Sequence, residues 1–310
     1  MLRGKLHVFS SLAFMIVCLF SRQVGLQSVF PNLGENPVHQ QKKYKRALTI
    51  AGSDSCGGAG IQADLKTFAA NGCYGMSVIT AITAQNTMGV SAISAVPIEV
   101  VAAQIEAVLT DIGADAIKIG MLFSPELICT VAEAIRRFAE SIPLVLDPVM
   151  VAQSGGKLLQ NEAIQSLKDA LIPLAYVITP NLPEAEVLLG RSLATPDEAQ
   201  KAARDLTALG CPNVLIKGGH FTGESSADVL YFGEEDKFIT YPGKRIETKN
   251  NHGTGCTLSS AIAAGLAEGL PLASAVAKAK EYISLAITAG AAYQVGHGHG
   301  PVHHFFSFYD

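Results

Sequence analysis

The sequence has few charged residues, no paired cysteines and no apolar run long enough to cross a membrane. Charged residues make up 16% of its 310 positions and hydrophobic residues 49%, which provides material for a large core and little for disorder. A formal net charge of −4 gives no electrostatic reason to expect a nucleic-acid partner. The six cysteines include no C-x-x-C pair, which excludes an obvious zinc site or disulfide framework and favours reduced, intracellular thiols.

The first 46 residues differ in composition from the rest of the chain. No acidic residue occurs before Glu35, and the apolar run from Val8 to Phe20 is shorter than the roughly 20 residues that a membrane-spanning helix needs. The segment fits a secretory signal without a clear cleavage site, an organellar transit peptide, or a gene model that begins too far upstream. We expect residues 1–46 to be a leader and linker outside the fold, and residues 47–310 to form one domain. The expected location is cytoplasmic, or a plastid or mitochondrion if the leader is a transit peptide.

From Ala47 onward, short apolar runs alternate with segments of helical periodicity. The predicted strands are Ala47–Gly52, Met76–Ala84, Ala92–Val96, Ala116–Ile119, Leu144–Leu146, Tyr176–Ile178, Val214–Ile216, Val229–Phe232 and Phe238–Tyr241. The predicted helices are Ile61–Ala70, Ile98–Asp111, Pro125–Glu140, Asn161–Leu171 and Pro196–Leu209, with Ser124 and Thr195 as capping hydroxyls before two of them. This alternation predicts an α/β fold with a doubly wound, mostly parallel sheet and helices on both faces, ending in an antiparallel hairpin near residues 229–241.

Polar or glycine-rich segments follow six of these strands. They are residues 52–60, 85–87, 120–121, 147–150, 179–184 and 217–220. In parallel sheets, ligands bind outside the carboxyl ends of the strands. One or two such segments would be ordinary turns, but six at strand ends would be unusual for a purely structural module.

The segment Asn-Asn-His-Gly-Thr-Gly-Cys-Thr-Leu-Ser-Ser, residues 250–260, is the most informative stretch. Its glycines allow a charged group to approach the backbone, and the helix that we predict from Cys256 to about Ala267 would present unpaired N–H groups to that group. This arrangement suits phosphoryl transfer. An ordinary loop-to-helix turn is the alternative, because short glycine motifs have many false positives.

Other common site motifs are absent from the sequence. It contains no G-x-x-x-x-G-K-[ST] phosphate loop, no G-x-G-x-x-G dinucleotide motif and no G-x-S-x-G nucleophile elbow. Four histidines near the end, His297, His299, His303 and His304, indicate either a metal site or a solvated glycine-rich tail, of which we expect the tail.

Taken together, the motifs resemble one enzyme family over residues 47–306. They are AGSDS-x-GGAGIQAD (51–64), TAQNT (83–87), KIGM (118–121), DPV (147–149), NLPE (181–184), KGGH (217–220) and HGTGCTLS (252–259). The sequence is similar to the hydroxymethylpyrimidine/phosphomethylpyrimidine kinases of the thiamine pathway, which belong to the ribokinase superfamily. Cys56 and Asn251 depart from the pattern, where we would expect a small residue and threonine.

The resemblance implies a ribokinase-like fold and a two-step, ATP- and Mg²⁺-dependent reaction. The hydroxymethyl group of 4-amino-5-hydroxymethyl-2-methylpyrimidine would be phosphorylated first, and the monophosphate would then become the diphosphate. A homodimer is also implied. A pyridoxal or pyridoxine kinase of the same superfamily remains an alternative, and so does a non-catalytic pyrimidine-binding sensor.

Residue roles carried over from the family fall into three groups. Gln85, Asp64, Gly52, Met121 and Val149 would bind the pyrimidine. Asn181, Glu184, Lys217, His220 and Thr248 would contact the nucleotide and its phosphates, with Asp147 and Glu184 near Mg²⁺. Gly253, Thr254, Gly255 and Cys256 would be catalytic: the backbone amides would hold the phosphoryl charge, and the thiol would act as general base or orient the substrate hydroxyl. A helix N-terminus would lower the pKa of that thiol and the charge of ATP would raise it.

Overall fold

The computed structural model describes residues 42–150, 161–193, 196–220 and 225–309. Within them, nine strands form one sheet in the order β3-β2-β1-β4-β5-β6-β7-β8-β9. The strands are β1 Arg46–Asp54, β2 Tyr74–Asn86, β3 Gly89–Ala95, β4 Ala116–Ile119, β5 Leu144–Leu146, β6 Val177–Ile178, β7 Asn213–Ile216, β8 Asp228–Phe232 and β9 Lys237–Tyr241. The six central strands, β2, β1, β4, β5, β6 and β7 in sheet order, pair in parallel. At one end of the sheet β3 pairs antiparallel with β2, and at the other end β8 and β9 continue antiparallel from β7.

Eight α-helices connect or flank these strands in the described residues. They are α1 Gly60–Ala70, α2 Ile98–Asp111, α3 Pro125–Phe138, α4 Asn161–Ser166, α5 Leu182–Leu189, α6 Pro196–Leu206, α7 Thr254–Ala267 and α8 Leu272–Gly290. Ser124 caps α3 as predicted, because its hydroxyl accepts the Leu127 N–H at 3.2 Å. Thr195, the other predicted cap, lies outside the described residues.

The sheet is covered on both faces, as the uninterrupted apolar strands predict. One buried cluster joins residues of α2 to α6, such as Ile105 and Leu127, to Leu48 and Ile117 of the sheet. A second cluster joins α1, α7 and α8 to the residues that point to the opposite face, such as Ala47 and Val145. Burial of a large aliphatic side chain contributes about 1.5–3 kcal/mol, so these two layers supply the main stabilisation of the fold.

The doubly wound, mostly parallel sheet and the final hairpin are confirmed. Two helices, α5 and α8, are missing from the predicted set. In α8 the residues between Leu272 and Gly290 are mainly small, so alanine carries much of the buried face and the contrast with the polar face is weak. Helix α5 has only eight residues, and the first three of them, 182–184, belong to the segment that had been assigned to a strand end.

Residues Tyr44–Asp310 form one compact unit. Its first strand begins at Arg46, one residue before the predicted strand, and the Arg46 guanidinium pairs with Asp115 at 2.6 Å. The backbone N–H of Arg46 also donates to Asp115, at 2.8 Å. No described helix has both the length and the apolar character needed to cross a membrane.

We expect residues 1–43 to be dispensable for folding and activity. A protein that starts at Tyr44 should retain the melting temperature and kcat of the full chain. A protein that starts with Met before Ala47 should also fold, but with a lower Tm, because it loses a partly exposed ion pair worth about 0–1 kcal/mol. Thermal denaturation and steady-state kinetics of the three proteins check this. Loss of folded protein on removal of residues 1–43 would show that the leader packs onto the domain.

Candidate active site

A cavity of about 680 Å³ lies beyond the carboxyl ends of the parallel strands, where the sequence places the polar segments. The predicted site residues that line it are Gly52, Gln85, Met121, Asp147, Val149, Asn181, Glu184, Lys217, Thr248, Gly253, Thr254, Gly255 and Cys256. Asp64 is absent from this lining, and the side chain of His220 lies outside the described residues. The fold therefore brings together residues that are up to about 200 positions apart in the sequence.

The Gly-Thr-Gly turn forms the entrance to α7. Gly253 has φ +78°, and a Cβ on it would lie 1.7 Å from the carbonyl oxygen of Gly58. Any side chain here would therefore separate the turn from the 52–60 loop. The helix begins at Thr254 and its first N–H groups adjoin the cavity, so its N-terminus favours a negatively charged ligand.

Next to this turn, two buried carboxylates share the ammonium group of Lys217, and a Cβ on Gly255 would lie only 3.4 Å from its Nζ. Lys217 Nζ lies 2.6 Å from Asp147 Oδ1 and 3.6 Å from Glu184 Oε2. Asp147 also accepts hydrogen bonds from the hydroxyls of Thr179 and Ser259. With both carboxylates ionised, the three groups carry one net negative charge, which a cation can neutralise.

The pKa values of the two carboxyls move in opposite directions. Burial raises the pKa of Glu184 to about 7, and the charge of Asp147 adds to this rise while Lys217 opposes it. Burial also raises the pKa of Asp147, but the ammonium groups of Lys217 and Lys118 and the hydrogen bonds from Lys217 and Ser259 together lower it by more, so that pKa lies below its ordinary value. Asp147 is therefore ionised at neutral pH, whereas Glu184 changes its charge close to pH 7.

Asn181 and Glu184 are held by the start of α5. The Asn181 side chain accepts the Glu184 N–H at 2.9 Å, and Glu184 Oε2 accepts the Asn181 N–H at 2.8 Å. This reciprocal capping box fixes both side chains at the edge of the cavity. The NLPE motif thus has a structural role that its helix requires, besides any contact with a nucleotide.

At the other end of the cavity, Gln85 lies beside a histidine that sequence reasoning did not select. His252 Nε2 lies 3.3 Å from Gln85 Nε2 and 2.8 Å from Asp54 Oδ2. Asp54 also accepts the backbone N–H groups of Cys56, Gly58 and Ala59. Burial raises the pKa of Asp54, but His252 and these N–H groups lower it by more, so the carboxyl has a pKa below its ordinary value.

Gly52, Met121 and Val149 form an apolar part of the cavity wall. A Cβ on Gly52 would lie 2.7 Å from Met121 Cε, so this glycine leaves space for the thioether. The mixture of an apolar wall with the amide of Gln85 suits a small heteroaromatic ring, which needs both a flat apolar contact and polar partners at its edge.

Asp64 lies behind the cavity and is fully buried, as is its partner Lys118. Lys118 Nζ contacts both Asp64 carboxylate oxygens at 2.9 Å, and the hydroxyls of Thr49 and Ser260 donate to the same carboxylate. Lys118, unlike Asp64, lines the cavity. Lys118 is a charged residue within the otherwise apolar run 116–119, and this is the sequence signal that indicates a buried ion pair here.

The Cys256 thiol lines the cavity next to the Gly-Thr-Gly turn. Burial raises its pKa to about 11; the charge of Lys118 opposes the rise, and those of Asp64 and Asp147 add to it. The thiol is therefore protonated at neutral pH when the cavity holds no ligand. The helix N-terminus alone does not produce a thiolate here.

The remaining predicted positions lie on the rim of the site. Thr248 accepts the Asn250 N–H at 3.0 Å, and Asn251 Oδ1 contacts His299 Nδ1 at 3.0 Å. The histidine-rich end is a solvated tail only in part: His297 and His299 are exposed, whereas His303 is half-buried and His304 is buried. His252 N donates to Gly300 O, His303 N donates to Ala286 O, and His304 is buried against Thr257. This segment is hydrogen-bonded to the domain at several points because its glycines allow close contact.

Comparisons with known proteins agree with the geometry. A family model for phosphomethylpyrimidine kinase matches residues 54–303. The hydroxymethylpyrimidine/phosphomethylpyrimidine kinase of Rhizobium meliloti is 54% identical over 261 residues, which is 84% of this chain and 96% of the relative. The crystal structure of phosphomethylpyrimidine kinase from Clostridium difficile aligns with a TM-score of 0.70 at 48% identity, covering 78% of this chain and 99% of that one. An ADP complex of Bacillus subtilis pyridoxal kinase aligns with a TM-score of 0.78 at 40% identity, covering 84% and 98%.

We expect Gly253→Ala to destabilise the protein and to abolish activity, because its Cβ would overlap the Gly58 carbonyl oxygen. Gly269→Ala is the matched control: Gly269 has a similar φ of +89°, but its Cβ would meet nothing within 4 Å. Both variants carry the backbone strain of about 1–3 kcal/mol, and only Gly253→Ala adds the steric clash. Denaturant unfolding and kinase assays measure both effects. Equal stability and activity of the two variants would contradict the close contact.

Proposed function

The chain belongs to the phosphomethylpyrimidine kinase family, and from this premise we propose that it phosphorylates 4-amino-5-hydroxymethyl-2-methylpyrimidine and then its monophosphate to the diphosphate for thiamine synthesis. The observation that carries the proposal is the single cavity that runs from Gln85 to the Gly-Thr-Gly turn and the Asp147–Lys217–Glu184 group. A small heteroaromatic ring and a nucleoside triphosphate can therefore bind next to each other in one cavity.

In this proposal, the substrate hydroxyl oxygen attacks the γ-phosphorus of ATP, and the bond from that phosphorus to the bridging oxygen breaks to release ADP. Gln85 binds the ring edge through its amide. The N–H groups of the Gly253–Gly255 turn hold the phosphoryl charge, where positioning and electrostatic stabilisation supply most of the catalysis. Lys217, Asn181, Thr248 and His220 contact the nucleotide, of which His220 rests on the sequence motif alone.

The donor set at the phosphate end fits Mg²⁺. Asp147 and Glu184 offer hard oxygen ligands, and when both are ionised they carry one negative charge more than Lys217 balances. Mg²⁺ bound there with ATP would neutralise phosphate charge. Above about pH 7, both carboxyls are ionised and available to a cation.

Mass spectrometry of the products from ATP and hydroxymethylpyrimidine tests the function directly. We expect a monophosphate followed by a diphosphate, which would identify the substrate and the number of steps together. The similarity to pyridoxal kinases makes pyridoxal the second candidate, because it is also a small heteroaromatic with a hydroxymethyl group. A higher kcat/KM for pyridoxal than for the pyrimidine would reverse the assignment. Binding of the pyrimidine with no product from either substrate would instead indicate a sensor.

We also propose a homodimer that forms through the β3 edge of the sheet. Residues 91–95 of β3 are all exposed, and the side chains of Ile82 and Ile93 are 56% and 51% exposed. Open apolar strand edges tend to be covered by a partner. Analytical ultracentrifugation should give the mass of a dimer for the protein and that of a monomer for an Ile82→Glu variant.

The proposed compartment is the cytoplasm, or an organelle if residues 1–46 are a transit peptide.

We propose that Cys256 acts on the substrate hydroxyl, either as the group that orients it or as the base, a role that requires substrate binding to lower the raised pKa of the thiol first. A base is needed for an alcohol, whereas a phosphate monoester already has ionised oxygens near neutral pH. If Cys256 is the base, Cys256→Ala should lower kcat of the first phosphorylation at least about a hundredfold and that of the second much less. If it orients the hydroxyl, Cys256→Ser should restore most of the first step.

Single-turnover assays that start from each substrate separate these outcomes, and ligand binding to the variant confirms that the site is intact. Normal rates of both steps in Cys256→Ala would show that the cysteine only packs beneath the turn.

A further inference from the structure

The final glycine-histidine repeat forms hydrogen bonds with two segments that carry residues of the candidate site. On one side, the N–H groups of His297 and Gly298 donate to Thr87 Oγ1 at 3.2 and 3.1 Å. The His299 N–H also donates to the Thr87 carbonyl oxygen, at 2.9 Å. On the other side, His252 N–H donates to the Gly300 carbonyl oxygen at 3.0 Å. Residues 296–304 are called the C-terminal clasp below.

The two attachment points adjoin functional residues. Thr87 is two positions after Gln85, just beyond the end of β2. His252 immediately precedes the Gly-Thr-Gly turn and lies 3.3 Å from Gln85. The clasp therefore links the backbone next to the proposed pyrimidine-binding amide to the backbone next to the proposed phosphate-binding turn.

The alternating glycines of the clasp are required by these contacts. A Cβ on Gly296, which has φ +68°, would lie 2.3 Å from Thr87 Oγ1. One on Gly298 would lie 2.1 Å from the Thr87 carbonyl oxygen, and one on Gly300 would lie 2.1 Å from Asn250 Oδ1. Every second residue must therefore lack a side chain, which explains the Gly-His-Gly-His-Gly pattern.

The end of the clasp is anchored to the helices behind the site. His304 Nε2 lies 3.1 Å from the Thr257 hydroxyl in the first turn of α7, and the Tyr282 hydroxyl donates to the His304 carbonyl oxygen at 2.7 Å. Burial lowers the pKa of His304 to about 3, so its ring is neutral and brings no charge into the core. The clasp is thus fixed to the same helix whose N-terminus forms the transfer turn.

We propose that the C-terminal clasp is a positioning element that sets the distance between Gln85 and the Gly-Thr-Gly turn, with Thr87 as its key positioning residue. This inference rests on the proposed function for the identity of the substrate, but its structural content does not. The hydroxyl of Thr87 receives two backbone N–H groups at once, so its removal takes away two of the three hydrogen bonds between the clasp and Thr87 and leaves every residue that is proposed to contact a substrate in place.

The test compares Thr87→Val with Thr87→Ser, which retains the hydroxyl. Thr110→Val is the matched control, because the Thr110 hydroxyl also forms a hydrogen bond with the backbone, by donating to the Glu106 carbonyl oxygen, but is exposed on α2. We expect Thr87→Val to raise the pyrimidine KM about tenfold through loss of the two hydrogen bonds, with little change in the KM for ATP. Thr87→Ser and Thr110→Val should resemble the wild type. An unchanged pyrimidine KM in Thr87→Val, or an equal rise in both KM values, would overturn the proposal.

Hydrogen exchange provides a readout that does not depend on the substrate. Thr87→Val should lose amide protection in both peptides 85–90 and 250–256, whereas Thr110→Val should lose it in neither. Unchanged protection of residues 250–256 would overturn the link between the two halves of the site. Gln85→Ala, which should raise the pyrimidine KM without changing exchange at 250–256, tests the proposed substrate contact separately. If the wild type phosphorylates only pyridoxal, the proposed function fails. The positioning role of the clasp is then tested by the pyridoxal KM of Thr87→Val and by its amide hydrogen exchange.

Discussion

The candidate site depends on a close contact between two backbone segments that are almost 200 residues apart. The Gly253 backbone lies so near the Gly58 carbonyl oxygen that a Cβ on Gly253 would be 1.7 Å from it. This contact brings the loop after β1 against the turn before α7, and the hydrogen bond from His252 to Asp54 joins their side chains. The proposed pyrimidine-binding and phosphate-binding ends share one cavity because no side chain separates these segments.

Buried charge is the second constraint on the site, and it is arranged in two groups of different design. Lys118 and Asp64 are fully buried, and hydroxyls from Thr49 and Ser260 complete the hydrogen bonding of the carboxylate. Removing one partner from such a pair typically costs about 3–5 kcal/mol, because the other charge stays buried. The Asp147–Lys217–Glu184 group instead has one carboxylate in excess and is therefore suited to bind a cation. Apolar packing stabilises the fold, and the excess carboxylate at the carboxyl ends of the parallel strands supplies a potential cation ligand.

Much of the fold could be predicted from sequence because the strands are buried on both faces. Runs such as Leu144–Leu146 and Val214–Ile216 have no polar face, which predicts a parallel sheet between helix layers. Helix α8 was harder to predict, since alanine or glycine occupies half of the buried positions on its face. The histidine-rich end was partly misjudged for a related reason: glycine and histidine have a solvent-like composition, and only the three-dimensional contacts with Thr87 and Asn250 reveal why glycine is needed there.

The sequence by itself determined the sheet type, the site segments and the family, since these depend on local periodicity and on motifs that are contiguous in the chain. Tertiary structure alone decided the protonation and the pairing partners of the individual side chains in the site. Burial next to Asp64 and Asp147 keeps the Cys256 thiol protonated, although its position at a helix N-terminus favours the thiolate. It also placed Asp64 behind the cavity wall, paired with Lys118, and brought His252 beside Gln85. Desolvation and long-range pairing depend on distances between segments that lie far apart in the chain, and a linear pattern does not contain those distances.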